Sequence, residues 1–194
     1  MLPPIAPLRD PKTILRERMK GERRAAAKTR PDAAIHAARN FLEAIDIPEG
    51  AVVSLYYPIK DDLDTEPLVA ALIERGVAIA LPVTIKKKAP LTFRRYQPGD
   101  NLVDGAYGEL IPDADAPVVT PTIIVAPLLA FTRAGGRLGY GGGYYDRTIE
   151  GARASSDVLA IGYGFGAQEV DAIPLSPLDQ PMDWVVTERE AIRC

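Results

Sequence analysis

Apolar, β-branched runs punctuate this chain at residues 51–57, 77–82, 91–96, 122–126, 158–163 and 184–187, and each reads as a strand. The runs Ala51-Val-Val-Ser-Leu55 and Thr122-Ile-Ile-Val-Ala126 lack polar alternation, a pattern that suits strands covered on both faces. Helical segments lie between and before them. Asp10-Pro11 is a good helix start, and the charged stretch that follows to about residue 28 predicts a surface helix. Pro31-Asp32 starts a second helix, ending near residue 44. A third runs from an N-cap at Thr65 to a stop at Gly76, and residues 144–149 can open a fourth. Residues 98–121 read as a long irregular connection with a Gly-Ala-Tyr-Gly turn. Alternation of this kind predicts an α/β layered domain, in which ligands sit beyond the carboxyl ends of the strands.

At 194 residues with 47% hydrophobic side chains, the chain suffices for one sizeable core and is short for two, so a single domain spanning residues 1–194 is expected. A net charge of −3 offers no overall attraction to nucleic acid or to an anionic membrane, so any phosphate binding must be local. The single cysteine, Cys194, precludes an internal disulfide. Residues 1–8 are proline-broken and uncharged, unlike a secretion signal, and the longest apolar stretch, 118–131, is interrupted by Pro121 and Pro127. A soluble, cytoplasmic monomer is expected. His36, the only histidine, falls on a polar helical segment, which argues against histidine-based acid/base or triad chemistry.

Candidate chemistry concentrates in one short segment. Gly135-Gly-Arg-Leu-Gly-Tyr-Gly-Gly-Gly-Tyr-Tyr-Asp-Arg147 packs six of the chain's sixteen glycines beside two arginines, three tyrosines and an aspartate. Consecutive glycines let backbone amides turn toward an anion, and the helix expected at residue 144 would aim its positive end at the same spot. The spacing is neither Gly-x4-Gly-Lys-Ser/Thr nor Gly-x-Gly-x-x-Gly. A tight or mobile turn is the bland alternative, but a disordered linker has no use for Tyr144-Tyr145.

The segment Arg137-Leu-Gly-Tyr-Gly-Gly-Gly-Tyr-Tyr-Asp146-Arg147 resembles the signature of the 5-formyltetrahydrofolate cyclo-ligase (5,10-methenyltetrahydrofolate synthetase) family. Three further segments follow the family's order: Lys12-Thr-Ile-Leu-Arg16, Asp61-Asp-Leu-Asp-Thr-Glu66 and Asp183-Trp-Val-Val-Thr-Glu188. The resemblance implies a three-layer α/β/α sandwich with a mostly parallel sheet, similar to the sugar-phosphate isomerase and CoA-transferase group. It also implies ATP- and Mg²⁺-dependent closure of 5-formyltetrahydrofolate to 5,10-methenyltetrahydrofolate, with release of ADP and phosphate. In that family's pattern, ATP contacts fall on Lys12, Arg16, Arg137, Leu138, Gly139, Tyr140, Gly141, Gly142, Gly143, Tyr144 and Tyr145. Substrate contacts fall on Arg16, Tyr57, Asp62, Tyr140, Gly141, Gly142, Gly143 and Tyr144, and magnesium contacts on Asp146 and Asp183.

Each assignment has a plainer counterpart. Asp146 suits a helix N-terminus through the dipole alone, and Asp183 suits a solvated strand boundary. Lys12 and Arg16, four apart on one helix face, fit a solvated surface equally well. Asp62 stands where the family commonly has a glutamate that hydrogen-bonds the pterin, and it is one methylene shorter; Asp64 can share its role, or both can merely precede the N-cap. Tyr57 stands where the family has an apolar wall residue, and a strand-end tyrosine also suits a core. Arg147 can pair with a carboxylate. The run Lys86-Lys87-Lys88, with Arg94-Arg95 across an expected hairpin, reads as solvated, with attraction for the glutamate tail of folate as the alternative. Two other functions keep the phosphate loop: a sugar-phosphate isomerase or transferase needing no ATP, and a non-catalytic nucleotide- or folate-binding module.

Overall fold

Asp10 caps the first helix, α1 (Pro11–Thr29): its carboxylate accepts from the amides of Lys12 and Thr13, while Pro11 occupies the first turn, where no intrahelical amide bond is lost. The computed structural model describes residues 10–194, so the reading of residues 1–8 lies outside the described residues. After α1 come α2 (Ala33–Ala44), β1 (Val52–Ser54), α3 (Glu66–Glu74), β2 (Ala78–Val83) and β3 (Thr92–Tyr96). Gly76, with φ +73°, follows the end of α3, where a left-handed residue closes the last turn. Thr65 precedes α3 as expected, but its hydroxyl donates to the Tyr56 carbonyl instead of capping the helix.

The next stretch departs from expectation. Residues 98–121 form a hairpin, β4 (Leu102–Asp104) with β5 (Leu110–Pro112), and an edge strand, β6 (Val118–Val119), that pairs with β3. Strands of two or three residues are too short for period-two alternation to register. Strand β7 (Ile123–Pro127) is set apart from the glycine loop. A second hairpin, β8 (Ala130–Phe131) with β9 (Arg137–Leu138), intervenes before the loop, and α4 (Tyr144–Ser155) follows it. The chain ends with β10 (Leu159–Tyr163), β11 (Trp184–Val186) and β12 (Ala191–Arg193).

Eight strands form one sheet in the order β12-β11-β10-β7-β1-β2-β3-β6. The five from β11 to β2 are parallel to their neighbours within that set, and antiparallel strands flank them. Apolar side chains occupy both faces, as the absence of polar alternation requires. Val53, Leu55, Ile79, Leu81, Ile123 and Val125 join one core cluster with residues of α1, α2 and α3. Their neighbours Ala80, Ile124, Ala126 and Ala160 join a second cluster with Ile149 of α4. The result is the three-layer α/β/α arrangement with a mostly parallel sheet.

The β1-α3-β2 crossover steps one way along the sheet and the β7-α4-β10 crossover steps the other. Right-handed crossovers in opposite directions put their helices on opposite faces, as α3 and α4 are. Strand order therefore reverses between β1 and β7, and a crevice opens at their carboxyl ends. Helix α1 buries only Met19, Arg23 and Ala26, one of them charged, so its packing involves the crevice as well as the core.

Candidate functional site

A cavity of about 960 Å³ occupies that crevice, bounded by Tyr56 and Tyr57 after β1, Pro82 and Thr84 at the end of β2, and Pro127 at the end of β7. The glycine loop forms one wall. Gly141 and Gly143 have φ +103° and +66°, the left-handed region that side chains with a Cβ rarely enter. The amides of Gly141, Gly142 and Gly143 donate to no described residue. They stand at the N-terminus of α4, where the helix dipole favours an anion. Arg147, for which pairing with a carboxylate is one reading of the sequence, donates to the carbonyls of Gly142 (2.9 Å) and Gly143 (2.8 Å).

Two ends of the loop are pinned. Arg137, buried on β9, donates to the Pro127 carbonyl (3.0 Å) and to Asp146 (3.3 Å), and its guanidinium lies over the Tyr145 ring. The other Asp146 oxygen accepts the Gln180 amide (3.1 Å). Arg16 donates to the Gly139 carbonyl (2.9 Å), so α1 is stitched to the loop's first residue. Lys12 pairs with Asp179 at 2.5 Å. Burial alone would raise the Asp179 carboxyl, but the Lys12 ammonium and the amide and hydroxyl of Ser176 outweigh it and hold the carboxyl below its usual range.

A buried charge pair, Arg23 with Asp62, stands beside Tyr140 of the loop. Asp62 accepts from Arg23 and from the Tyr140 hydroxyl (2.7 Å) through Oδ1, and from the Ile59 amide (3.2 Å) through Oδ2. Burial raises the Asp62 carboxyl above the ordinary aspartate range, against the attraction of Arg23 and the hydrogen bonds from Tyr140 and Ile59. Burial and the Asp62 charge raise the Tyr140 phenol, and burial raises Tyr145, so both hydroxyls stay neutral donors. Tyr57 lines the cavity and is 37% exposed, whereas its neighbour Tyr56 is buried and donates to the Leu63 carbonyl. Asp64 does not share the position of Asp62; it accepts the Glu66 amide at the start of α3.

The structure brings Lys12, Arg16, Tyr57, Asp62, Asp146 and all of residues 137–145 to one cavity. It does not bring Asp183 there. That residue precedes β11 at the opposite, amino-terminal end of the parallel strands, where it accepts from Arg153 (2.9 Å) and from the Ala160 amide (2.8 Å). A strand-initial residue of a parallel sheet lies a strand's length from the carboxyl ends, so Asp183 does not line the cavity that Asp146 faces. Asp146 and Glu150, one turn apart on α4, both face the cavity and supply the hard carboxylate oxygens that Mg²⁺ takes alongside phosphate and water. The donor set fits a magnesium ion held on bound phosphates. It does not fit an all-protein cage, since no cluster of three or more acidic, histidine or cysteine ligands exists among the described residues.

Sequence reasoning missed several contributors. Arg23 continues the α1 stripe of Lys12, Arg16 and Met19 at i, i+4, i+7 and i+11, a periodicity that places it on the inward face. Glu150 follows Asp146 by one helical turn. Tyr107 and Glu109 come from the hairpin that short strands concealed, and the Tyr107 hydroxyl meets that of Tyr144 at 2.5 Å across the cavity mouth. Lys87 and Lys88 border the cavity, at the expected hairpin turn between β2 and β3. His36 is exposed and lies outside the cavity.

Residues 9–188 match the model of the 5-formyltetrahydrofolate cyclo-ligase family. The 5-formyltetrahydrofolate cyclo-ligase of Mycolicibacterium smegmatis is 31% identical over 196 residues, covering 93% of this chain and 95% of that protein. The Escherichia coli K12 enzyme of the same name is 34% identical over 140 residues, 70% of this chain and 76% of that one. Among solved structures, the 5,10-methenyltetrahydrofolate synthetase of Aquifex aeolicus superposes with a TM-score of 0.76 at 26% identity, covering 94% of this chain and 92% of that one.

Proposed function

Because the chain belongs to the 5-formyltetrahydrofolate cyclo-ligase family, catalysing the conversion of 5-formyltetrahydrofolate to 5,10-methenyltetrahydrofolate, we propose that its cavity performs that closure at the expense of ATP with Mg²⁺. The observation that carries the reading is a cavity lined both by residues 139–143, a loop suited to cradling an anion, and by the Asp62 carboxylate, which the Tyr140 hydroxyl of that loop meets at 2.7 Å.

The N5-formyl group is amide-like, so its carbon is a poor electrophile and its oxygen a poor leaving group. Transfer of the γ-phosphoryl group to that oxygen answers both demands. The neighbouring N10 amine then attacks the formyl carbon and gives up its proton to the phosphate oxygens or to water, the five-membered ring closes, and the original formyl oxygen departs with phosphate. Because N10 belongs to the same molecule, proximity supplies much of the rate. The protein's residues align the formyl oxygen with phosphorus and neutralise spreading phosphate charge. Loop amides and the α4 dipole meet the phosphates, with Lys12 and Arg16 adding positive charge from α1. Asp62 accepts from N–H groups of the pterin, and Tyr57 offers a face for the ring. Asp146, with Glu150, would hold Mg²⁺, which when bound screens the phosphate charge. With the Tyr140 and Tyr145 phenols held neutral and no histidine lining the cavity, positioning, not proton transfer by a side chain, is the protein's main task.

We read residues 1–194 as one domain that works as a cytoplasmic monomer; among the described residues no helix is long and apolar enough to cross a membrane. The mechanism is tested with ¹⁸O in the formyl group. One label per methenyl product is expected in inorganic phosphate. Unlabelled phosphate accompanying product would overturn phosphorylation of the formyl oxygen, and absence of product from folded protein would overturn the activity.

A further inference from the structure

Arg23 carries a full charge yet is only 2% exposed, and its guanidinium reaches two side chains: Asp62, from the segment after β1, and Tyr140, from the glycine loop. The Asp62 side chain is 3% exposed. Burying two charges is expensive unless their geometry and remaining hydrogen bonds are well satisfied, and an apolar pair of similar volume often serves stability as well. Stability alone is therefore a poor reason for a charged pair at the cavity wall.

The geometry gives a better one. An ionised carboxylate has about four acceptor positions, and Arg23, Tyr140 and the Ile59 amide take three of them. Asp62 is thereby fixed in orientation with acceptor capacity to spare. Tyr140 receives Arg23 against its ring as well as at its hydroxyl, so the same cation meets both partners of the Tyr140–Asp62 hydrogen bond.

We propose that Arg23 is the positioning residue for substrate recognition: it keeps Asp62 charged and oriented toward the N–H donors of a planar heterocycle, and through Tyr140 it ties that carboxylate to the phosphate loop. This rests on the cyclo-ligase reading of the cavity.

The groups that face Asp62 support the assignment. Arg23 comes from α1, Tyr140 from the glycine loop, Tyr56 from the end of β1, Tyr145 from α4, and Asp61 from its own segment. Asp61 is drawn outward by an exposed pair with Arg24. The three phenols are raised and neutral, so Arg23 is the cation that opposes the effect of burial on Asp62. Without it the carboxyl protonates at higher pH and turns from acceptor into donor.

The test is calorimetric affinity of the full chain for 5-formyltetrahydrofolate between pH 5.5 and 8.5, with steady-state kinetics in parallel. Arg23→Met is expected to weaken folate binding on the order of tenfold at the acid end, with recovery as pH rises, while the KM for ATP changes by less than about twofold. Arg23→Lys should restore a nearly flat pH profile. Wild-type folate affinity in Arg23→Met, or an equal and pH-independent loss for both substrates, would overturn the proposal. If Arg23→Met does not fold, Arg23→Met with Asp62→Asn removes both buried charges; weak, pH-independent folate binding is expected, and wild-type affinity or a retained acid-side loss would count against it. Failure of the cyclo-ligase reading is distinct, because wild-type protein would then bind folate without forming methenyl product. Wild-type protein that binds no folate would sink both.

Discussion

Arg137 and Asp146 close the glycine loop on itself: Nη2 of the arginine before the loop lies 3.3 Å from Oδ2 of the aspartate after it. The arginine side chain is 4% exposed and the carboxylate 17%, so the clasp is largely withdrawn from water while the loop between its ends remains at the cavity. Rigid ends with an open middle suit the proposed phosphate role, since preorganised amides need not be reoriented when charge arrives.

Neutralising the carboxylate separates its two roles. Asp146→Asn keeps an oxygen for Arg137 or for the Gln180 amide but loses the charge that Mg²⁺ requires. Turnover is expected to fall at least about a hundredfold, with a stability loss of only about 1–2 kcal/mol. Activity assayed across a magnesium titration, with thermal unfolding alongside, checks both. Wild-type turnover at saturating Mg²⁺ would remove Asp146 from the metal site.

The loop itself is tested at Gly141. With φ +103°, this position strains any β-branched side chain, and an added Cβ would stand 3.4 Å from the Arg16 guanidinium carbon. Gly141→Val is expected to weaken ATP binding by tenfold or more, roughly 1.4 kcal/mol, while the melting temperature moves little. Calorimetry reporting normal ATP affinity would refute the cradle.

Lys12 and Arg16 yield a kinetic and an acid-dependent expectation. The Lys12→Ala, Arg16→Ala double variant should raise the KM for ATP on the order of tenfold. Asp179 is more acidic in the folded protein than when unfolded, so its pairing with Lys12 stabilises above the ordinary aspartate range and is lost as pH falls through the depressed folded value. The pair is largely shielded but still reaches solvent, which limits this to about 1 kcal/mol or less. Urea titrations at pH 5 and pH 3 should show the gap between wild type and Lys12→Ala narrowing in acid. A gap that widens would contradict the pairing.

Gln168, in the short 3-10 turn after β10, holds the base of the site. Its amide nitrogen donates to the carbonyls of Leu128 (2.6 Å) and Leu129 (3.2 Å), and its oxygen accepts the Phe165 amide (2.8 Å). These bonds anchor the foot of the hairpin that presents Arg137. Gln168→Leu leaves three buried backbone groups without that partner and is expected to cost about 2–4 kcal/mol. A shift in the urea midpoint with unchanged slope measures it, and a loss below about 0.5 kcal/mol would show that water or rearranged backbone substitutes.

Sequence alone determined the layers and the position of the glycine loop ahead of α4. Unbroken apolar runs can be buried only if both sheet faces are covered, and clustered glycines beside a helix start mark a tight loop whose amides are left free, so β1, β2, β7, β10, α1 and residues 139–143 were legible locally. The hairpins β4-β5 and β8-β9 were not, because strands of two or three residues draw their stability from tertiary partners and leave no periodic signal. Proximity was illegible for the same reason. Asp146 and Asp183 carry the same side chain near similar apolar runs, but one follows the carboxyl end of β7 and the other precedes the amino end of β11, and only the direction of the parallel strands separates them. Arg23, written as one more cation on a basic helix, meets Asp62 and Tyr140 because the fold packs α1 across the reversal of strand order between β1 and β7. Long-range packing, not local preference, turns that surface-like charge into a buried one.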